Sequence, residues 1–270
     1  MASYPPVDFC LLIPCYNNEN GLIRSLESVR YDAGPYLVLV VDDGSQVPVD
    51  VRKIKEVIGR NMDIEVIRLQ PNGGITRALN AGLEWIQRNV ATEFVARLDC
   101  GDLCDPERFI VQINLMRQKP GLVLLASWCH FRDPVTGEQY SYITSTGHKN
   151  IIKEMYRRNV FIHPTVMLRT GILEKVGLYP LDYELAEDYA FFWKLMDAGE
   201  VAVVDRFLVT CEINKRGLSF ANRGKQLLAR WKVVNNFGSS LALKIRGFLW
   251  LGGLILVPKR LILWLKKKKA

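Results

Sequence analysis

Three observations predict an α/β fold built on a mostly parallel twisted sheet with helices on both faces. Short apolar runs alternate with segments of helical spacing through the first hundred residues. The runs are continuously apolar, as in strands buried on both faces, and such alternation implies parallel pairing. Polar, turn-forming residues follow these runs, and open sheets of this kind bind ligands beyond the carboxyl ends of their strands.

The elements follow in order. Phe9–Pro14 reads as the first strand, Glu19–Arg30 as a helix spaced by Leu22, Leu26 and Val29, and Tyr36–Val41 as the second strand. A helix over Val49–Ile58, a strand over Ile64–Leu69, a helix over Thr76–Arg88 and a strand over Phe94–Leu98 come next. Pro106–Gln118 opens with proline, which suits a helix start. Further on, Val123–Trp128, Tyr140–Ile143, Thr165–Leu168 and Val201–Val204 read as strands, with helices over Lys149–Arg158 and Glu187–Ala198. No Pro-, Gly- or Ser-rich linker separates the two halves, so residues 1–220 are expected to form one domain.

The composition excludes several classes. At 270 residues, 49% hydrophobic and 24% charged, the chain has ample core and is not wholly disordered. Its six cysteines form no C-x-x-C, so neither a zinc site nor a disulfide framework is expected; they read as reduced thiols of a cytosolic protein. Met1–Asp8 has no basic n-region or apolar run, so no secretory signal is expected. With no G-x-x-x-x-G-K-[ST] and no G-x-G-x-x-G, neither a P-loop enzyme nor a dinucleotide-binding oxidoreductase is indicated.

Charge is uneven. Residues 201–270 hold 15 Lys and Arg against 2 Asp and Glu, a net of +13, whereas residues 1–200 hold 21 against 26, a net of −5. The basic segment calls for an anionic partner. From Phe248 it reads FLWLGGLILVPKRLILWLKKKKA, and its unbroken apolar piece, Gly247–Val257, has 11 residues. As a helix that is about 17 Å, too short for a hydrocarbon core of about 30 Å. Residues 221–270 are therefore expected to form basic amphipathic helices that lie on an anionic membrane, peripherally at its cytoplasmic face. A true span and a helix for a soluble partner are the alternatives, and Arg223–Trp231 by itself reads as a solvated basic face. Nucleic acid is not an expected partner, because phosphate contact needs no Leu, Ile and Trp between the charges.

The chemistry-bearing residues sit at the strand ends. These are Pro14-Cys15-Tyr16-Asn17, Asp42-Asp43-Gly44-Ser45, Pro71-Asn72-Gly73-Gly74 and Asp99-Cys100-Gly101-Asp102. Each alone is ordinary turn punctuation; their convergence on one edge suggests a site. Asp99 and Asp102 can hold a hard divalent cation through oxygen. Asp42 or Asp43 can accept from a base imide, and Tyr16 can stack on the base. Glu187 and Asp188 open a helix, where the dipole favours acids in any case; functionally, Asp188 is a general base that the dipole keeps ionised without raising its pKa. His163, before a predicted strand, is either a satisfied structural group or part of the site.

Taken together these residues resemble a family 2 glycosyltransferase of the GT-A fold, of the bacterial lipopolysaccharide, O-antigen or capsule type. The resemblance covers about residues 8–220 and rests on six motifs in order. They are Ile13-Pro14-Cys15-Tyr16-Asn17-Asn18-Glu19, Val41-Asp42-Asp43-Gly44-Ser45, the segment Asn72 to Leu83, Arg97-Leu98-Asp99-Cys100-Gly101-Asp102, His163-Pro164-Thr165 and Glu187-Asp188. It implies that Pro14, Tyr16, Glu19, Asp42 and Asp43 line the pocket for a nucleoside-diphosphate sugar and that Arg77 contacts the donor. It also implies that Asp99 and Asp102 bind Mn²⁺ or Mg²⁺ on the diphosphate, and that Asp188, beside Glu187, activates a glycan or glycolipid acceptor. Transfer of a single sugar with inversion is implied. Two positions depart from the pattern: Gly101 replaces the middle acid of D-x-D-D, and Cys211-Glu212-Ile213-Asn214 lacks the usual Arg and His. A nucleotidyltransferase and a non-catalytic nucleotide-sugar-binding protein are the alternative readings.

Overall fold

The fold was analysed in a computed structural model, which describes residues 4–59, 62–213 and 223–256. The chain runs β1 (Tyr4–Cys15), α1 (Glu19–Ser28), β2 (Tyr36–Asp42), α2 (Val51–Ile58), β3 (Ile64–Arg68), α3 (Ile75–Asn89) and β4 (Val90–Arg97). It continues with β5 (Leu103–Cys104), α4 (Arg108–Gln118), β6 (Leu122–Arg132), β7 (Gln139–Tyr142), α5 (His148–Met155) and β8 (Met167–Arg169). It ends with α6 (Leu173–Val176), α7 (Glu187–Ala198), β9 (Glu200–Glu212), α8 (Arg223–Phe237) and α9 (Leu241–Leu256).

The strands form one sheet in the order β3-β2-β1-β4-β8-β6-β9-β5, with β7 paired to β6. Parallel pairing of β1 with β2 and β4, and of β2 with β3, matches the sequence reading. The sheet is nevertheless mixed: β8 is antiparallel to both β4 and β6, β5 to β9 and β7 to β6. The expected strand over Thr165–Leu168 divides into a single 3₁₀ turn, His163–Thr165, and β8. The strand expected over Val201–Val204 extends to Glu212, so Cys211 and Glu212 lie in β9, not after it.

Side chains of successive strand residues point to opposite faces, and both faces are covered. Cys10 and Leu12 of β1 pack with Leu79, Leu83 and Ile86 of α3, and Tyr189 to Met196 of α7 belong to the same layer. Phe9, Leu11 and Ile13 pack into the other layer with Leu22 and Leu26 of α1, Ile54 of α2 and Phe109, Ile113 and Met116 of α4. α3 comes close because Gly82 has no Cβ: one there would lie 2.4 Å from Leu12 Cδ1. This packing explains why the strands read as unbroken apolar runs.

Register then places the strand tips together. Cys15 stands opposite Asp42, Asp42 opposite Arg68, and Leu12 opposite Arg97, so the carboxyl ends of β1 to β4 share one edge. α8 and α9 pack beyond the sheet, with Trp231 and Phe248 rings 4.9 Å apart. Among the described residues no helix is long and apolar enough to cross a membrane. The expected segment from Val257 to Ala270, with its second apolar run and four lysines, lies outside the described residues, as does Asn214. All six cysteines are free.

Candidate active site

Two acids at the end of β2 build the loops. Asp42 is fully buried and accepts from Ser45 N at 2.9 Å and Val49 N at 3.3 Å, with Arg68 Nε 3.6 Å away. Asp43, also buried, accepts from Gly73 N at 2.8 Å and Gly74 N at 2.9 Å, while its carbonyl takes Asn72 Nδ2. These carboxylates therefore clamp the turns after β2 and β3. Each oxygen has a further acceptor direction, which is what a base would have to use.

Beside them lies a cleft of about 490 Å³, lined by Cys15, Asn18, Glu19 and Ser45 among others. Pro14 is buried next to it, and its carbonyl accepts from Cys100 Sγ. Tyr16 is half-exposed between two lining residues. Glu19 is paired with Lys53 of α2. Arg77 is exposed on the first turn of α3, with its Cδ close to Gly73. Asn17, with φ of 50°, holds a left-handed conformation at the mouth and accepts from Gln46 N. The only other non-glycine residue with positive φ among the described residues is Leu185, at 68°, just before Glu187 and Asp188. Such strain costs roughly 1–3 kcal/mol and gathers at functional loops.

Arg97 organises the centre. It is 1% exposed and donates through Nη1 to the carbonyls of Leu12 (2.9 Å) and Leu98 (3.0 Å), through Nη2 to Asp99 and through Nε to His163 Nε2 (3.4 Å). Burial opposes the Asp99 charge, but Arg97 prevails and holds the carboxyl below its ordinary value. Burial, and then the Asp99 charge, push Asp102 well above its ordinary value. Burial and Arg97 lower His163 to about 3, so it is neutral. Arginine only donates, so Nε2 accepts from Arg97 and from Tyr179 Oη at 2.8 Å, which puts the ring proton on Nδ1. Tyr179 is itself pinned by Asn80, which bonds both its backbone N–H and its carbonyl at 2.9 Å. His163 is therefore a positioning group between Arg97 and Tyr179.

The loop after β4 is stitched to α1. Ser25 Oγ donates to Asp99 O and accepts from Gly101 N at 2.9 Å, and Asn18 Nδ2 donates to Cys100 O. Asp102 is buried and accepts from Glu212 N at 2.8 Å. Glu212, paired with Arg24 at 2.9 Å, explains Gly101: a Cβ there would lie 2.9 Å from Glu212 Oε2, and φ is 108°. The carboxylates of Asp99 and Asp102, held at neighbouring turns with one oxygen each engaged, suit a hard cation by donor chemistry. Magnesium-type sites commonly use one or two carboxylates plus substrate phosphates. Among the described residues no three metal-ligating side chains come together, so the diphosphate would have to complete such a site.

Across the rim, Asp188 Oδ2 accepts from Asn159 Nδ2 at 2.9 Å and Oδ1 from its own helix at Tyr189 N, 2.6 Å. Burial raises its pKa, Arg230 of α8 opposes that rise, and the Asp99 charge adds to it. This corrects the expectation from the dipole alone: desolvation outweighs it. Burial and then Asp188 raise Glu187 to about 7. Asp99 and Asp188 thus lie within electrostatic reach of one another. Asp188 is not among the residues lining the cleft beside Cys15. Sequence reasoning missed Arg97 as an organiser, and Asn159, Tyr179 and Glu212; a charged residue ending the apolar run Phe94–Leu98 was the available signal for the first.

Comparison with known proteins agrees with this architecture. The sequence profile described as "Glycosyl transferase family 2" matches residues 10–177. The amylovoran biosynthesis glycosyltransferase AmsE of Erwinia amylovora is 29% identical over 247 residues, 89% of this chain and 88% of that protein. An Escherichia coli UDP-Gal:alpha-D-GlcNAc-diphosphoundecaprenol beta-1,3-galactosyltransferase is 26% identical over 79% of each chain. In fold, the chain resembles S. aureus TarS 1-349 in complex with UDP-GlcNAc (TM-score 0.63, 19% identity, 89% of this chain and 71% of that one). It also resembles the mannosyltransferase PcManGT from Pyrobaculum calidifontis in complex with GDP-Man and Mn2+ (TM-score 0.64, 17% identity, 93% and 71%). The fold is of the GT-A type.

A neutral His163 gives a pH signature. Its folded pKa of about 3 lies below the ordinary 6.5, so the unfolded chain binds the extra proton between the two. The associated stability is present above pH 6.5 and is lost as pH falls toward 3. By pH 5 the loss approaches about 2 kcal/mol. Glu187, raised to about 7, acts the other way, losing stability as pH rises from its ordinary value through 7, and is common to both proteins compared. Urea unfolding at pH 7.5 and pH 5 should show the parent losing about 2 kcal/mol relative to His163→Gln on going to pH 5, since the Glu187 contribution is shared and cancels in the difference; an equal pH response in both disproves the assignment.

Proposed function

The chain belongs to glycosyl transferase family 2, and on that footing we propose that it moves one sugar per event from a UDP-sugar to a hydroxyl of a lipid-linked or lipopolysaccharide glycan. The observation that carries this reading is the juxtaposition of two carboxylates at one rim, Asp99 beside the tips of four parallel strands and Asp188 within electrostatic reach of it. UDP-sugar is supported by the name of the Escherichia coli relative and by the TarS complex, and a lipid diphosphate-linked acceptor by that same name.

In this reading Pro14, Tyr16, Glu19, Asp42 and Asp43 form the nucleotide end. Tyr16 stacks on the base, and the clamped turns of Asp42 and Asp43 shape the pocket. Arg77 faces the diphosphate, where negative charge grows as the bond breaks. Asp99 and Asp102 would hold a divalent cation, Mn²⁺ or Mg²⁺, which supplies charge neutralisation on the leaving diphosphate when bound. Asp188 takes the acceptor hydroxyl proton as that oxygen forms its bond to the anomeric carbon. The bond to the diphosphate breaks on the opposite face, so the configuration inverts. A raised pKa strengthens Asp188 as a proton acceptor. Glu187, raised to about 7, is only about half ionised near neutral pH, which lessens its competing charge.

Asn159 is a positioning residue for that base. Its Oδ1 accepts from Phe161 N at 3.2 Å, which turns Nδ2 toward Asp188, and its carbonyl takes Tyr142 Oη at 3.0 Å. The amide therefore fixes the carboxylate rotamer.

Labelled UDP-sugars, Mn²⁺ and a polyprenyl diphosphate-linked saccharide test the reaction directly. Asp188→Asn should lower transfer by roughly 10²–10⁴-fold, the usual worth of a general base, while UDP-sugar affinity holds in calorimetry. Unchanged turnover would remove Asp188 from the mechanism. Asn159→Ala has a separate readout. Losing a donor to the ionised carboxylate raises its pKa, so the acidic limb of kcat against pH should move upward. A fall in kcat with no change in that limb would make Asn159 merely structural.

A further inference from the structure

We propose that α9 lies in the interface of an anionic lipid bilayer, and that its clamp on Tyr156 turns the Asp188 side of the rim toward that bilayer. The helix is apolar on both faces but packed on one. Gly247 and Leu251 point inward; a Cβ on Gly247 would lie 2.2 Å from Tyr156 O, and Leu251 is buried. On the outer side Leu241 is 72% exposed, Ile245 53% and Leu249 67%, and Phe248, 53% exposed, has its ring against Trp231 of α8. At about 100° per residue these four fall in one stripe. Lys244 and Arg246 stand at its two edges, and Lys244 Nζ donates to Asn235 O on the protein side. A continuous apolar stripe with a cation at each edge matches a helix lying in a membrane interface, and among the described residues no helix is long and apolar enough to cross one.

Charge decides between lipid and a second copy of the chain. Among the described residues, α8 and α9 (223–256) carry six Lys and Arg and no Asp or Glu. Two such surfaces face to face repel, whereas anionic headgroups complement them.

The clamp gives the orientation. Tyr156 Oη accepts from Ser239 N at 2.9 Å and Ser240 N at 3.0 Å, at the start of α9, and a Cβ on Gly238 would lie 2.6 Å from its ring. The same ring meets Trp193 of α7 edge-on at 5.1 Å. Three residues beyond Tyr156, Asn159 holds Asp188. Arg230 of α8 lies close enough to Asp188 to favour its charge. The bilayer-facing helix and the acid at the rim therefore share one support, and a lipid-linked hydroxyl would arrive from the side on which that acid waits. This orientation rests on the proposed role of Asp188; bilayer binding does not.

The test uses the full chain and vesicles of phosphatidylcholine with or without phosphatidylglycerol. The parent should sediment with the anionic vesicles, and Leu241→Ser/Ile245→Ser/Leu249→Ser should bind at least about tenfold less tightly, with an unchanged melting temperature. Ile245→Glu, a single exposed change, should weaken binding in the same direction. With a polyprenyl diphosphate-linked acceptor in the vesicles, the triple variant should lose transfer while hydrolysing a UDP-sugar in solution as the parent does. Three results overturn the bilayer proposal: no sedimentation of the parent, equal sedimentation of the variant, or a parent dimer by light scattering that the variant makes monomeric. Vesicle binding that depends on the stripe, with transfer unaffected by its loss, overturns the orientation alone. Vesicle binding with no transfer or hydrolysis in either protein leaves the interface standing and strikes the transferase reading.

Discussion

A guanidinium buried behind the strand tips is the constraint on which the rim depends. Taking such a charge out of water costs several kcal/mol unless each N–H finds a partner. Arg97 meets that demand with two backbone carbonyls from β1 and the turn after β4, one carboxylate and one neutral imidazole. Each partner belongs to a different part of the site, so satisfying one side chain aligns β1, Asp99 and His163 together. Beneath it a second buried arginine, Arg108, donates to the Arg97 carbonyl at 2.7 Å and to Gln112, which bonds Thr165 O at 2.9 Å. The turn bearing His163 is thus held from two directions.

That network accounts for a division of labour among the acids. Asp42 and Asp43 are committed to backbone amides and shape loops. Arg97 holds the Asp99 carboxyl below its ordinary value, whereas burial and the Asp99 charge push Asp102 above its own. Two neighbouring carboxylates pushed apart in pKa are the arrangement a cation and a diphosphate can exploit. Across the rim, Asp188 is desolvated and oriented by Asn159.

Much of the fold could be read from the residues, because β1 to β4 are buried on both faces and announce themselves as apolar runs with turn residues after them. Strand direction could not: Met167–Arg169 is three residues long, and nothing in so short a segment distinguishes antiparallel from parallel pairing. Leu103–Cys104 is shorter still and exists only through its bonds to β9. The site was half visible. The acids at the strand ends stood out, but their partners did not, since Arg97 and Asn159 act through contacts with residues distant in sequence. Gly101 looked like a missing acid and proves to be a position that the Glu212 carboxylate crowds and a φ of 108° restricts.

The central claim, that a UDP-sugar lies between Asp99 and Asp188 along this rim, is tested most directly by a crystal structure of the chain with a UDP-sugar and Mn²⁺. The account places the diphosphate on the Asp99 and Asp102 side and the anomeric carbon facing Asp188. The gap between them should hold one hydroxyl, with its oxygen within about 3.5 Å of both carbon and carboxylate. A donor bound with its anomeric carbon turned away from Asp188, or with its diphosphate remote from Asp99, would contradict it.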